Sequence, residues 1–185
     1  MIIGIAGTIG AGKGTVVDFL VKEKGFTHVS ARMIWTRELE ARGLPVNRDS
    51  MTKLANELRA EHGPAYFMEQ ALSVKSDNSS VVIESVRTVG EVELLRRNGG
   101  VLLAVDADQK VRFERITKRG SSLDDVTFED FIRQEETEMK NDDPAKQNIS
   151  KVMQMADFVI DNVGSVSELE ERVEAFLDRY KDKSQ

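Results

Sequence analysis

The first fifteen residues, MIIGIAGTIGAGKGT, limit the possible folds more than any other stretch of this chain. Gly7-Thr8-Ile9-Gly10-Ala11-Gly12-Lys13 fits the spacing G-x-x-x-x-G-K. It follows an apolar run, Ile2 to Ala6, and precedes a helical pattern carrying Val16, Val17 and Leu20. A strand that enters a glycine-rich bend and leaves as a helix aims backbone N–H groups and a helix N-terminus at one spot, which favours an anion there. Glycines let the backbone approach a polyphosphate closely, and a lysine at this spacing reaches the outer phosphates. Gly7 to Lys13, with Gly14 and Thr15 behind them, are therefore the expected seat of a nucleoside triphosphate. The plain alternative, a strand-to-helix turn that binds nothing, leaves the lysine without a reason.

Further short β-branched runs alternate with longer helical patterns. The runs are Phe26 to Val29, Val81 to Ile83, Val101 to Val105 and Phe158 to Ile160. Continuous apolar runs point to strands covered on both faces. Met51, Leu54, Ala55 and Leu58 have helical spacing, as do Ile149, Val152, Met153 and Ala156. Leu169, Val173, Phe176, Leu177 and Tyr180 form a longer stripe behind a capping box expected at Ser167 and Glu170. Thr88 and Glu91 make a second such box. The pattern predicts an α/β fold with a five-stranded parallel sheet and helices on both faces. Ligands then bind beyond the carboxyl ends of the strands. Two stretches exceed that rhythm, residues 31–78 and 119–151, and read as excursions over the sheet within one domain.

Composition narrows the classes. The chain has 185 residues, enough for one well-buried domain, and a net charge of −6, which argues against a general nucleic-acid-coating role. It has no cysteine, which excludes disulfides, thiolate metal sites and cysteine nucleophiles, and its only histidines are His28 and His62. No run is long and apolar enough to span a bilayer and no leader pattern is evident, so the expected compartment is the cytoplasm.

The loop ends Gly12-Lys13-Gly14-Thr15, with glycine where the general motif has the serine or threonine that holds magnesium. That ending resembles adenylate kinase and its nucleotide kinase relatives. Val82 to Thr88 resembles the element of those kinases in which a strand ends in an acidic residue followed by an arginine. Met155 to Ser165 resembles the closing strand and turn of dephospho-CoA kinases. The resemblance implies a P-loop kinase fold with a helical acceptor-binding insertion at 31–78 and a lid at 119–151. It implies ATP and magnesium as cofactors, with Thr15 and Glu84 on the metal side.

On the acceptor side, the resemblance implies that Arg87 holds a phosphate and that Ser30 leads into a helix bearing a second arginine. Arg32 and Arg37 are both candidates, with Arg32 nearer the strand end. Arg48, Thr52, Asn56 and Arg59 share one helical stripe that could offer two cations and two hydrogen-bonding groups to a ligand, or could simply be a solvated face. Trp35, Tyr66 and Phe67 could stack on a base, although core packing is the commoner fate of such rings. Arg112, Arg115 and Arg119 fall within one arc of a helix. Arg115 and Arg119 match best the cations that neutralise a moving phosphoryl group. A mobile lid is expected from Gly120-Ser121-Ser122 and the dense charges beyond.

The expected activity is transfer of the ATP γ-phosphoryl group to a nucleoside or deoxynucleoside monophosphate. Dephospho-CoA kinase is the close rival, weakened because no acidic residue follows Ser30 within three positions. A nucleotide-dependent switch or a binding module is the reading from another class. Gly14 weighs against the switch. The expected partners are small nucleotides, with neither nucleic acid nor membrane.

Overall fold

The computed structural model describes residues 1–76, 79–120 and 126–181, and the side chain of Arg48 lies outside the described residues. Five parallel strands, β1 (Ile2–Gly7), β2 (Thr27–Ser30), β3 (Val81–Glu84), β4 (Val101–Asp106) and β5 (Phe158–Asp161), form one sheet in the order β2-β3-β1-β4-β5. The chain builds β2 and β3 on one side of β1, then crosses to place β4 and β5 on the other. The bend after β1 therefore lies at the switch in strand order, where a crevice opens beyond the carboxyl ends.

Alternating strand residues feed two apolar layers. Ile3, Ile5, Val82, Leu103 and Val105 pack against α1 (Lys13–Lys24) and α9 (Val166–Tyr180) through Val16, Leu20, Val173 and Phe176. Val81, Ile83 and Leu102 face the opposite layer. That layer is built from α2 (Ala31–Ala41), α3 (Arg48–His62), α4 (Tyr66–Ser73), α5 (Val89–Arg97) and α8 (Ile149–Gln154), and holds Trp35, Leu39, Leu58 and Phe67. Burying each large apolar side chain stabilises the fold by about 1.5–3 kcal/mol relative to exposure, so these runs have to be apolar on both faces. Helices do cover both faces, as expected.

Two helices, α6 (Gln109–Arg119) and α7 (Phe128–Met139), complete the described elements. The excursion at 31–78 consists of α2, α3 and α4, with Asp77 and Asn78 outside the described residues. The lid expectation drew on Ser121 and Ser122, which also lie outside them.

Three local readings are corrected. The second strand starts at Thr27 instead of Phe26 and gives way to helix after Ser30, which pairs in register with Glu84. The helix read through Ala156 ends at Gln154, where Met155 caps it and Asp157 ties the chain to Leu102. The capping box expected at Ser167 lies at Ser165 and Glu168. Ser165 has extended dihedrals and its side chain accepts from the Glu168 N–H, whereas Ser167 is already helical. The box at Thr88 and Glu91 forms as expected.

Candidate active site

The glycine loop is fixed by its neighbours as much as by its own sequence. Gly7 has φ 141°, and a Cβ there would fall 2.0 Å from the Val105 carbonyl oxygen. At Gly10, φ 80°, a Cβ would come within 2.5 Å of the Arg112 carbonyl oxygen. Neither position can carry a side chain without displacing backbone. Gly14, by contrast, has open space around it, so packing does not impose the departure from the general motif.

Residues far along the chain hold the bend in place. The Thr8 hydroxyl donates to Asp106 at 2.6 Å, the Arg112 Nη1 to the Ile9 carbonyl at 3.1 Å, and the Asn162 Nδ2 to the Ala11 carbonyl at 2.8 Å. The buried Arg112 also donates to the Ala107 carbonyl and pairs with Glu135 of α7. Arg112 was read as one of three cations in an arc, and its work here is structural. Asp106 and Asn162 were missed as loop supports. Their positions at the carboxyl ends of β4 and β5 were the available signal.

No side chain caps α1 at Gly12; the Thr15 N–H turns back to the Gly12 carbonyl at 3.1 Å, and among the described residues the Lys13 and Gly14 N–H groups at the start of the helix are left uncapped beside the loop. Lys13 Nζ donates to the carbonyls of Gly7 at 3.0 Å and Thr8 at 2.6 Å. Burial, followed by the Arg87 charge, brings the Lys13 pKa down to about 8, with Glu84 and Glu138 opposing the shift.

A cleft of about 510 Å³ opens from this loop toward α2 and α3. Its lining includes Lys13, His28, Ser30, Arg32, Arg59, Glu84, Arg87, Arg119 and Glu138. Gly10 and Ile9 border it as well. Ser30 is buried and its Oγ accepts from the Met33 N–H, so it caps α2 at the edge of the cleft. Arg32 lines the cleft and Arg37 does not. Arg115 also lies outside the lining; its Nη2 donates to the Asn162 carbonyl at 3.0 Å behind the loop. Trp35 and Phe67 are core residues, and Trp35 also contributes to the cleft wall.

Glu84 ends β3 beside the loop. Burial pushes its pKa up, but a 3.1 Å contact with His28, together with the charges of Lys13 and Arg32, brings it below the ordinary carboxylate value. Glu84 is thus ionised and its Oε2 accepts from the His28 Nε2. The chain turns sharply after it: Ser85 has φ 75°, and both Ser85 and Val86 donate their N–H groups to the Ile5 carbonyl. A serine in the left-handed region marks a local strain that the surrounding hydrogen bonds sustain. The turn carries Arg87 to the cleft.

The polar stripe of α3 divides. Thr52 and Arg59 line the cleft, and the Asn56 Oδ1 is buried without a hydrogen-bond partner among the described residues. Arg59 is 2% exposed, and its Nε donates to Glu91 at 3.2 Å. The Glu91 carboxylate also accepts from the backbone N–H groups of Arg87 and Thr88. One carboxylate therefore caps α5, neutralises Arg59 and fixes the segment that bears Arg87. Among the described residues, the Arg59 Nη1 is left without a partner.

A parallel sheet of this order, a glycine loop at its switch point and a cationic cleft beside it make up a P-loop kinase-like fold. An AAA domain family model (AAA_18) matches residues 3–141. The UPF0200 protein of Hyperthermus butylicus is 31% identical over 182 residues, covering 97% of this chain and 94% of the relative. The chain belongs to the AAA domain family and to the UPF0200 proteins. Its fold is similar to that of the shikimate kinase of Bacteroides thetaiotaomicron, with a TM-score of 0.60 and 17% identity, covering 98% of each chain. It is also similar to the dephospho-CoA kinase of Campylobacter jejuni, with a TM-score of 0.54 and 16% identity, covering 96% of each chain. Among the described residues, no helix is long and apolar enough to cross a membrane.

Proposed function

We propose that this protein is a cytoplasmic nucleotide kinase of one domain, with an acceptor region at 31–78 and a lid at 119–151. It moves the γ-phosphoryl group of ATP to a small phosphate-bearing nucleotide, a nucleoside or deoxynucleoside monophosphate. The observation that carries this reading is the cationic lining of the cleft: Arg59, buried with an Nη1 that has no partner among the described residues, lines it together with Lys13, Arg87 and Arg32. A cation kept out of water with hydrogen-bonding capacity unspent suits an anionic ligand.

In this reading the loop amides and Lys13 hold the donor phosphates, and Thr15 supports the α-phosphate side. Ser30 shapes the acceptor wall. Arg119, at the cleft, neutralises the moving group, and Arg115 acts from the donor side. Magnesium fits as a water-carrying ion: Glu84 offers one ionised carboxylate whose Oε1 makes no hydrogen bond among the described residues. The described residues contain no cluster of three or more metal-binding side chains, and magnesium commonly keeps waters and shares phosphate oxygens. Bound there, it would screen the phosphate charge.

A second reading, a hydroxyl acceptor as in dephospho-CoA kinase, is supported by the His28–Glu84 pair in the cleft. A carboxylate that orients an imidazole can assist removal of a hydroxyl proton.

The test is ADP release from magnesium-ATP with and without a panel of nucleoside monophosphates and dephospho-CoA. Turnover that depends on a monophosphate supports the proposal, dependence on dephospho-CoA supports the second reading, and acceptor-independent turnover overturns both. Lys13→Ala should impair ATP use with every acceptor, and Arg87→Ala should mainly raise the acceptor KM. Equal, negligible effects of the two would refute the assignment.

A further inference from the structure

We infer that Glu138 and Gln147 are positioning residues that hold Arg87 by one nitrogen and leave its other edge to grip a phosphate of the acceptor. The inference deepens the kinase reading and rests on it for its use, but its test requires no turnover. The Arg87 Nη1 donates to Glu138 Oε2 at 2.8 Å and also to Gln147 Oε1. Among the described residues, neither its Nε nor its Nη2 makes a hydrogen bond. Those two nitrogens form the edge of a guanidinium that pairs with two oxygens of a single phosphate.

The main chain of Arg87 is held as well. Its N–H donates to Glu91 at 2.6 Å, and its carbonyl accepts from the Asn148 N–H at 2.9 Å. A long side chain ordinarily loses much rotamer freedom when it binds. Here that ordering is complete before an acceptor arrives, which is how pre-organisation raises affinity. Glu138 sits in the last turn of α7 and Gln147 just before α8. The acceptor grip is therefore assembled only when α7 is docked against the β3–α5 segment, linking the lid region to the acceptor side.

The opposite role for Glu138 is an internal anion that an acceptor must displace. The geometry disfavours it, because both contacts fall on Nη1 and the paired edge is unspent. The two roles predict opposite signs. Removing a positioning group weakens phosphate binding at Arg87, whereas removing a competing anion strengthens it.

The experiment uses the full chain labelled with ¹⁵N-arginine and follows the Arg87 Nε–H resonance as inorganic phosphate is added. The expected result is saturable binding in the wild type, retained by Glu138→Gln, which keeps an accepting oxygen. Glu138→Ala should weaken it about tenfold, and Gln147→Ala should weaken it less, since each removes one contact from the same nitrogen. Backbone amides of the glycine loop report phosphate at the donor site in the same titration and should still saturate in every variant, with any change in Glu138→Ala also present in Glu138→Gln because both remove the charge that acts on Lys13; a general loss of structure would abolish both signals. An Arg87 signal that ignores phosphate, or an affinity unchanged or tighter in Glu138→Ala, overturns the inference. Phosphate binding at Arg87 in a protein that shows no acceptor-dependent ADP release would sink the kinase reading and leave this one standing.

Discussion

The Asn162 side chain donates to the Ala11 carbonyl across 151 positions of sequence, at 2.8 Å. The Asn162 N–H donates in turn to the Asp106 carbonyl at 2.7 Å, so the turn after β5 braces the glycine loop from behind. The proposed phosphate site is thereby braced by a residue 151 positions away in sequence.

Removing that brace should loosen the site. Asn162→Ala leaves a buried carbonyl unpaired, a cost of about 1–3 kcal/mol. The expected outcome is a lower thermal midpoint by calorimetry and a KM for ATP raised more than the KM for the acceptor. An unchanged ATP KM would show that the loop holds its shape without the bond.

Lys13 gives a pH signature. Its value is lowered to about 8 in the folded protein against an ordinary lysine value of 10.5. Between those values the unfolded chain carries the proton and the folded chain does not. The charge thus destabilises the fold at and below pH 8, and stability from this group rises with pH across the window. Phosphates favour the charged lysine. Magnesium-ATP binding near pH 8.5 should therefore take up a proton, and binding near pH 7 should take up almost none, both pH values being approximate choices on either side of the shifted pKa. Calorimetry in two buffers of different ionisation enthalpy measures the uptake, and Lys13→Met should abolish it.

Glu91 is the fixed point of the cleft wall that carries Arg59 and Arg87. Its pair with Arg59 is almost fully enclosed, with side-chain exposures of 1% and 0%. Breaking such a pair from one side costs about 3–5 kcal/mol because the remaining charge stays buried. Glu91→Ala should lower the urea midpoint by a corresponding amount. A double variant, Arg59→Met with Glu91→Leu, should recover much of the stability but not the acceptor affinity. If the double variant were no more stable than the single one, cap loss at α5 rather than the stranded arginine would be the dominant effect.

The spacing of residues made much of this legible in advance. The run Ile2 to Ala6, the glycines to Lys13 and the periodic Val16, Val17 and Leu20 are local signals, and the strand, bend and helix follow from backbone geometry within residues 2–20. Thr88 and Glu91 announced a helix start for the same reason. Their second use was hidden: nothing near Glu91 in sequence indicates that Arg59, 32 positions earlier, shares its carboxylate. Arg112 and Arg115 illustrate the limit from the other side. Helical spacing put them in one arc with Arg119, but spacing fixes direction around an axis and not what the axis packs against. Arg112 turned into the loop support, Arg115 to the turn at Asn162, and only Arg119 reached the cleft.

The amino-acid sequence alone determined the alternation of strands and helices, the bend that invites phosphate and the lysine beside it, because each depends on dihedral preferences and hydrophobic period over a few neighbouring residues. Only the tertiary structure decided which charges meet. His28 with Glu84, Arg59 with Glu91, and Arg87 with Glu138 and Gln147 are brought together by parallel crossovers. Partner choice in a low-dielectric cleft depends on distances that no local pattern encodes.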